Sequence, residues 1–584
     1  MKNVVKNEKK RSDFLFYVVL ILFIAAIDVF LVLHYSKVDL VYKNKTLIEK
    51  IKIFQEFILE RPTDVDLSKE NLNNFIQIQK KLFLFYLVLP ILFALMNQNV
   101  KKGEFHKIEH GSAEWAKGKE LDVFRKDKGG IIIGHNLYIP MDFDINFNQL
   151  VIGGPGSGKS FRKVKPDILQ ANANYIITDP KGELFRDTAK FLEKNGYEIK
   201  VLNLVEPRYS MQFNPFKYVR DEKDIVILAE TFMKNTEGKV QNTDKDFWYK
   251  AELSLLQALM FYVNSELSEE ERNFNSVFKL LTASEDSRVL DVIFEDLERE
   301  NPDHVALRAY KTFKLAAQAP ETVAGILVGL GVRFTSIMTQ EIQKLLEDDE
   351  MNLEDMSDKK VAIYVITSDT HRTFDVISAM FFSSAFQYLI YHADFINNGK
   401  LKRHCRYMLD EFYNIGYIPY FDNVISTIRG RNISATVIIQ DMSQLKSKYK
   451  DSWQGIVGCC DTIIFLGSQE NETREYISKL LGKTTVQVNS KSYNFSYRGG
   501  GRSESINYIQ RDLLTPDELR TLPRNKQIVL ISGMKPIYVD KFRTEKHENY
   551  KYMQDKADYK DVKNPEKELN SLINEIENII TQIG

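Results

Sequence analysis

Gly153-Gly154-Pro155-Gly156-Ser157-Gly158-Lys159-Ser160 spells G-x-x-x-x-G-K-[ST] directly after the apolar run Leu150-Val151-Ile152. Glycines at this spacing let backbone N–H groups turn inward around phosphate oxygens. A helix starting beyond them adds a positive dipole end. In that setting Lys159 reaches the β- and γ-phosphates, and the Ser160 hydroxyl binds Mg²⁺. The bland alternative is a flexible Gly-rich loop; the apolar run before it and a second motif downstream weigh against that.

The second motif is Arg406-Tyr407-Met408-Leu409-Asp410-Glu411, an apolar strand that ends in two acids. On open α/β sheets, ligands bind at the carboxyl ends of strands. Asp410 suits the Mg²⁺ shell, and Glu411 suits the orientation and polarisation of an attacking water. An apolar-Asp-Glu run is weak alone and gains weight from following a phosphate loop. Gln440 closes the next apolar run, Ala435 to Ile439, where it can sense a γ-phosphate. Arg429 and Arg431 lie between them. Phosphoryl transfer needs positive charge against the transferred group, and an arginine can supply it from a neighbouring subunit. Arg429 is the preferred finger; surface ion pairs are the competing reading for both. The ligands expected are ATP and Mg²⁺. The three cysteines, Cys405, Cys459 and Cys460, have neither disulfide-framework nor metal-site spacing.

These residues need a sheet to hold them. Tyr175 to Thr178 and Ile199 to Leu204 read as strands around a helix-like Leu184–Asn195. The β-α-β-α-β order predicts a parallel sheet with covering helices. From about 221 to 349 apolar residues recur at helical spacing (Phe247, Ala251, Leu255, Ala258, Tyr262), and no convincing strand occurs. Strand character returns at Lys360–Ile366. The fold class expected is α/β: a RecA-like P-loop ATPase domain with an inserted all-α domain and an N-terminal two-helix transmembrane hairpin. Its divisions are a membrane anchor with a small external loop over 1–102, a nucleotide-binding domain over 103–220 and 350–545, an all-α domain over 221–349, and a tail over 546–584. The polar stretch Thr544–Asn564 reads as a linker. Beyond it, Leu569, Leu572, Ile573, Ile576, Ile579, Ile580 and Ile583 form an amphipathic stripe. Ser490–Ser505 reads as a mobile loop or hairpin tip.

At 584 residues the chain exceeds what one core supports. Its net charge is −1, so no global field recruits nucleic acid. Any such contact must come from a local basic patch or from a channel built by several subunits. Phe14–Leu33 is a long apolar run with Asp28 as its only charge, preceded by Lys2, Lys6, Lys9, Lys10 and Arg11. Leu82–Met96 is a shorter apolar run that contains Pro90. Together they predict a membrane hairpin with both termini inside. The localisation expected is the cell membrane, multi-pass, with the bulk of the chain cytoplasmic.

The chain resembles the TraG/TraD-type coupling proteins of type IV secretion and bacterial conjugation. The resemblance rests on Gly111-Ser112-Ala113-Glu114-Trp115-Ala116, the phosphate loop, Thr178-Asp179-Pro180-Lys181-Gly182-Glu183-Leu184 and Phe247-Trp248. It continues through Leu409-Asp410-Glu411-Phe412 to Gly416 and Pro419, Gln440, and Leu514-Thr515-Pro516-Asp517-Glu518-Leu519. It implies a hexameric membrane ATPase that takes relaxase–DNA complexes or protein effectors to a type IV secretion channel, with the all-α domain over 221–349 as its substrate-recognition domain. The partners implied are single- or double-stranded DNA, relaxase or relaxosome proteins, channel subunits and the membrane. The positions of Arg429 and Gln440 relative to Glu411 match the family's finger and sensor pattern. Two other readings compete: a nucleotide-switched substrate receptor without pumping activity, and an FtsK-type DNA translocase.

Overall fold

The computed structural model describes residues 23–97, 110–237, 245–283, 288–494 and 501–562. The chain divides into two compact units, Met1–His106 and Lys107–Gly584.

The first unit is helical over residues 23–41, Leu47–Glu60 and Lys69–Asn97. Thr46 and Glu49 form a reciprocal capping box at the start of the middle helix. Polar bridges join the outer two helices: Gln79 Nε2 donates to Asp28 Oδ2 at 2.8 Å, and Ser36 Oγ donates to the Asn71 carbonyl at 3.0 Å. Among the described residues no helix is long and apolar enough to cross a membrane. The expected transmembrane hairpin is therefore not supported. In the helix Lys69–Asn97 the polar sequence KENLNNFIQIQKK precedes the apolar half, which is too short to span alone. Of the first apolar run, residues 14–22 lie outside the described residues.

The second unit is built on a nine-stranded sheet. Its strands are β3 (Gln149–Gly153), β4 (Asn174–Asp179), β5 (Glu198–Asn203), β6 (Val361–Ile366), β7 (Cys405–Leu409), β8 (Ile433–Ile439), β9 (Thr462–Gly467), β12 (Lys526–Ile531) and β13 (Ile537–Asp540). Two hairpins, β1–β2 (Ile131–Gly134, Leu137–Ile139) and β10–β11 (Lys483–Asn494, Gly501–Asp512), form separate small sheets. The order across the large sheet is β13-β12-β9-β3-β8-β7-β4-β6-β5. From β9 to β5 all pairings are parallel, while β12 pairs antiparallel with both β9 and β13. Parallel strands are covered on both faces, which explains their near-continuous apolar runs. Leu150 and Ile152 point into one core with Tyr407, Leu409, Val437 and Ile439. Val151, Met408 and Ile438 point into the other.

The stretch between β5 and β6 contains only helices among its described residues, from Glu222–Asn235 to Gln340–Leu345, apart from short 3₁₀ turns. Its Phe232, Phe274 and Phe334 belong to the same core as Leu150 and Ile152, so the helices and one sheet face share their apolar interior. The other face is covered by the helix Glu183–Lys194 and by residues 543–562. That last segment is no free linker as far as residue 562. Thr544, Met553 and Ala557 are buried. The Ala557 amide donates to the Arg186 carbonyl at 2.9 Å, and Lys556 pairs with Asp187 at 2.5 Å. Sparse apolar residues between charges concealed this packing in the sequence. The amphipathic stripe from Leu569 lies outside the described residues. The stretch Ser490–Ser505 belongs to the paired β10–β11 ribbon, apart from residues 495–500, which are not described.

Candidate active site

The phosphate loop leaves β3 at the carboxyl rim of the sheet. Gly156 and Gly158 have φ of 72° and 93°, values that favour glycine. The Gly154 amide donates to the Gly467 carbonyl at 2.9 Å, which fixes the loop to the end of β9. Lys159 is buried, and its Nζ donates to the Gly153 carbonyl at 2.8 Å. Burial holds its pKa below the usual lysine range, against the opposing pull of Asp410, Glu411 and Asp441. Lys541, just after β13, grips the loop from outside: its Nζ donates to the carbonyls of Ser157 at 2.8 Å and Leu466 at 2.7 Å.

Parallel register brings the second motif to the same rim. Ile152 pairs with Ile439, so Gly153 and Gln440 follow at one level, and Leu409 pairs with Val437 on the other side of β8. Ser160 Oγ therefore reaches Asp410 Oδ2 at 2.6 Å. Thr178 Oγ1 donates to the Asp410 carbonyl at 2.6 Å, tying β4 to the same point. Burial pushes the Asp410 carboxyl up to about 6. A hydroxyl and a buried, destabilised carboxylate side by side form a hard-oxygen donor pair that suits Mg²⁺. A bound cation would relieve the strain that burial places on Asp410. Among the described residues no group of three His, Cys, Asp or Glu side chains is arranged to hold a metal. Phosphate oxygens would have to complete the shell.

Glu411 has φ 50° and ψ 52°, the left-handed region, which is unusual for a residue with a long side chain. Asn414 holds it twice: its amide N–H donates to the Glu411 carbonyl at 2.8 Å, and its Nδ2 to Glu411 Oε2 at 2.9 Å. Gln440 keeps its backbone N–H on Gln444 Oε1 at 2.9 Å. It lines a cavity of about 470 Å³ together with Gly154–Ser157, Gly467–Glu470, Arg520, Arg524 and Lys541.

Arg429 does not join this assembly. It sits in the turn Ile428–Arg431 ahead of β8, at the amino rim of the sheet, and pairs with the exposed Asp144 at 2.9 Å. Arg431 makes a two-pronged pair with Asp394, 2.7 Å at each nitrogen. The structure thus brings together Gly153, Gly154, Pro155, Gly156, Ser157, Gly158, Lys159, Ser160, Asp410, Glu411 and Gln440, and leaves Arg429 on the far rim. Sequence reasoning missed Lys541, Arg520, Arg524 and Asn414. No motif marks them, because they matter through tertiary placement. It also gave Asp179 no task. That side chain is buried, accepts from the Phe185 amide at 2.7 Å, and shapes the turn into the helix Glu183–Lys194.

Residues 101–569 match the family model described as type IV secretory system conjugative DNA transfer. The chain belongs to that family. Its relatives in the family include a conjugal transfer protein TraG of Rhizobium radiobacter, 23% identical over 73% of this chain and 71% of that protein. A protein VirD4 of Rhizobium rhizogenes is 25% identical over 74% of this chain and 65% of that protein. Among solved structures, the plasmid coupling protein TrwB in complex with a non-hydrolysable ATP analogue superposes with a TM-score of 0.56. That likeness covers 75% of this chain and 96% of TrwB at 16% identity. TrwB with ADP and Mg²⁺ gives a TM-score of 0.55 at 16% identity, over 74% of this chain and 93% of TrwB. At such identity the likeness establishes the fold: a coupling-protein α/β sheet carrying a phosphate loop.

Proposed function

We propose that this coupling-family chain is the ATP-driven component that takes conjugative DNA, with its attached relaxase proteins, to a type IV secretion channel. The observation that carries the ATP-driven part is the meeting of Ser160 and Asp410 across separate strands at 2.6 Å. It joins the two halves of a phosphoryl-transfer site.

In this reading the phosphate-loop amides and Lys159 hold the triphosphate. Ser160 and Asp410 hold Mg²⁺, which when bound neutralises charge on the β- and γ-phosphate oxygens. Glu411 orients a water in line with the γ-phosphorus and accepts its proton. The new phosphorus–oxygen bond forms as the bond to the bridging oxygen breaks, leaving ADP and phosphate. Gln440, at the end of β8 and at the head of the helix Met442–Lys448, registers the loss of the γ-phosphate. Arg429, remote from its own site, completes the site of a neighbouring copy in a ring, and a hexamer is the assembly this reading takes. The family match and the fold do not favour the pumping-free receptor or the FtsK-type translocase. Attachment to the cell membrane rests on the apolar run Phe14–Leu33, and partition of the full chain into carbonate-washed membranes tests it.

The deciding experiment is ATP turnover of the full-length protein with and without single-stranded DNA, beside Lys159→Ala. DNA-stimulated turnover that vanishes in the variant is the expected result. Equal turnover in both proteins would sink the reading.

A further inference from the structure

The turn that follows Asp410 is held from outside by a lysine. Lys448 Nζ donates to the Phe412 carbonyl at 2.7 Å and the Tyr413 carbonyl at 3.3 Å. With this backbone clamped, the side chains of Glu411 and Asn414 are the parts free to rearrange. The Asn414 amide spends its N–H on Glu411 Oε2 at 2.9 Å. That hydrogen bond fixes the direction of the carboxylate.

The contacts continue outward. Asn414 Oδ1 lies 3.5 Å from Arg372 Nη2, and the Arg372 guanidinium stacks over the Tyr413 ring at 4.3 Å. Arg372 is exposed, on the loop between β6 and the helix Asp375–Tyr391, and its acidic neighbour, Asp375, is 4.0 Å away. An exposed guanidinium beside an aromatic ring can take a phosphate on one group and a base on the other, the pairing that single-stranded nucleic acid engages.

We propose that Asn414 is a positioning residue that restrains the Glu411 carboxylate, and that single-stranded nucleic acid binding at Arg372 and Tyr413 draws Asn414 away and frees it. The inference rests on the reading of Glu411 as the water-orienting base. It turns cargo contact into a hydrolysis signal through one side-chain amide.

The test uses full-length protein in lipid vesicles, measuring kcat and KM for ATP with and without a single-stranded DNA oligonucleotide. Asn414→Ala is expected to raise the DNA-free kcat about fivefold, the factor of one hydrogen bond, with KM within about twofold. Its stimulation by DNA should shrink accordingly. Asn414→Asp keeps the side-chain volume, places a repelling carboxylate beside Glu411, and carries the same DNA-free expectation should the alanine variant not fold. Arg372→Ala should lose DNA stimulation, and Arg372→Lys should keep part of it. A DNA-free kcat that stays level or falls in both Asn414 variants overturns the restraint. Full DNA stimulation in Arg372→Ala overturns the relay. Glu411→Gln separates the two readings: wild-type turnover in that variant removes the base itself, whereas lost turnover with unresponsive Asn414 variants removes only the restraint.

Discussion

The two rims of the sheet are built to different standards. At the carboxyl rim, loops from β3, β7 and β8 converge, and side chains more than two hundred residues apart in sequence meet at 2.6 Å (Ser160 to Asp410). Lys159 and Asp410 are buried there with strained protonation, and Glu411 sits in an unusual backbone region. At the amino rim, Arg429 is roughly half exposed, with side-chain exposure of 53%, and rests on Asp144, which is fully exposed. Exposed ion pairs of that kind contribute little stability. A cation held so loosely is cheap to lend. The carboxyl rim receives no arginine from its own β8 turn, because Arg429 stays at the amino rim on Asp144. The contrast teaches that Arg429 can serve a phosphate site only if, as proposed, it reaches the carboxyl rim of a neighbouring copy.

The largest effects should come from the carboxyl rim. Glu411→Gln should lower kcat by about 10²–10⁴-fold while nucleotide binding persists, as read by a fluorescent-nucleotide titration beside turnover. Arg429→Ala should cost about 10³-fold in kcat in the assembled protein, the scale of an arginine finger. It should leave the melting temperature within about 2 °C of wild type, as expected for an exposed pair. If instead the variant turns over normally, Arg429 is a surface ion pair and the contrast between the rims has no functional meaning. A mixing experiment sharpens the point: inactive Arg429→Ala and inactive Lys159→Ala should regain partial turnover together, because some interfaces receive an intact site and an intact finger.

Smaller effects follow at Asp410. Its carboxyl, pushed by burial up to about 6 in the fold, lies above the 3.8 of an ordinary aspartate, so the neutral form is favoured in the fold. The stability it contributes is present at low pH and is lost as pH rises through about 6. Mg²⁺ should therefore raise the melting temperature more at about pH 8 than at about pH 5. An equal shift at both values would detach Asp410 from the metal. Smallest is Lys541→Met, which removes the outer grip on the phosphate loop. It should raise KM for ATP about fivefold with kcat nearly intact, the signature of lost uniform binding.

Much of the carboxyl rim was legible because local sequence specifies it. A strand, a glycine-bearing turn and a helix follow one another from Leu150 to Ser160, and the apolar-Asp-Glu run announces its own strand end. The helical stretch after β5 was legible through its 3.6-residue period. What stayed hidden is what depends on pairings distant in sequence. Lys541 meets Ser157 across 384 residues, and nothing around it departs from ordinary polar chain. Asn414 looks like any turn asparagine until its amide is found on Glu411. The strap through residue 562 hid behind its charges, and the long apolar run near the N-terminus suggested a bilayer span that the described helices do not supply.

The sheet order also bears on how the protein is made. β3 emerges early, at residues 149–153, yet its two neighbours are β8 and β9, the latter ending at Gly467. Until Ile439 both edges of the strand behind the phosphate loop lack partners, and until Gly467 the β9 edge still does; unpaired apolar strands invite aggregation. A ribosome stalled before Gly467 therefore leaves a sticky fragment rather than a smaller folded domain, and production should depend on chaperones that cover the nascent chain for most of its synthesis.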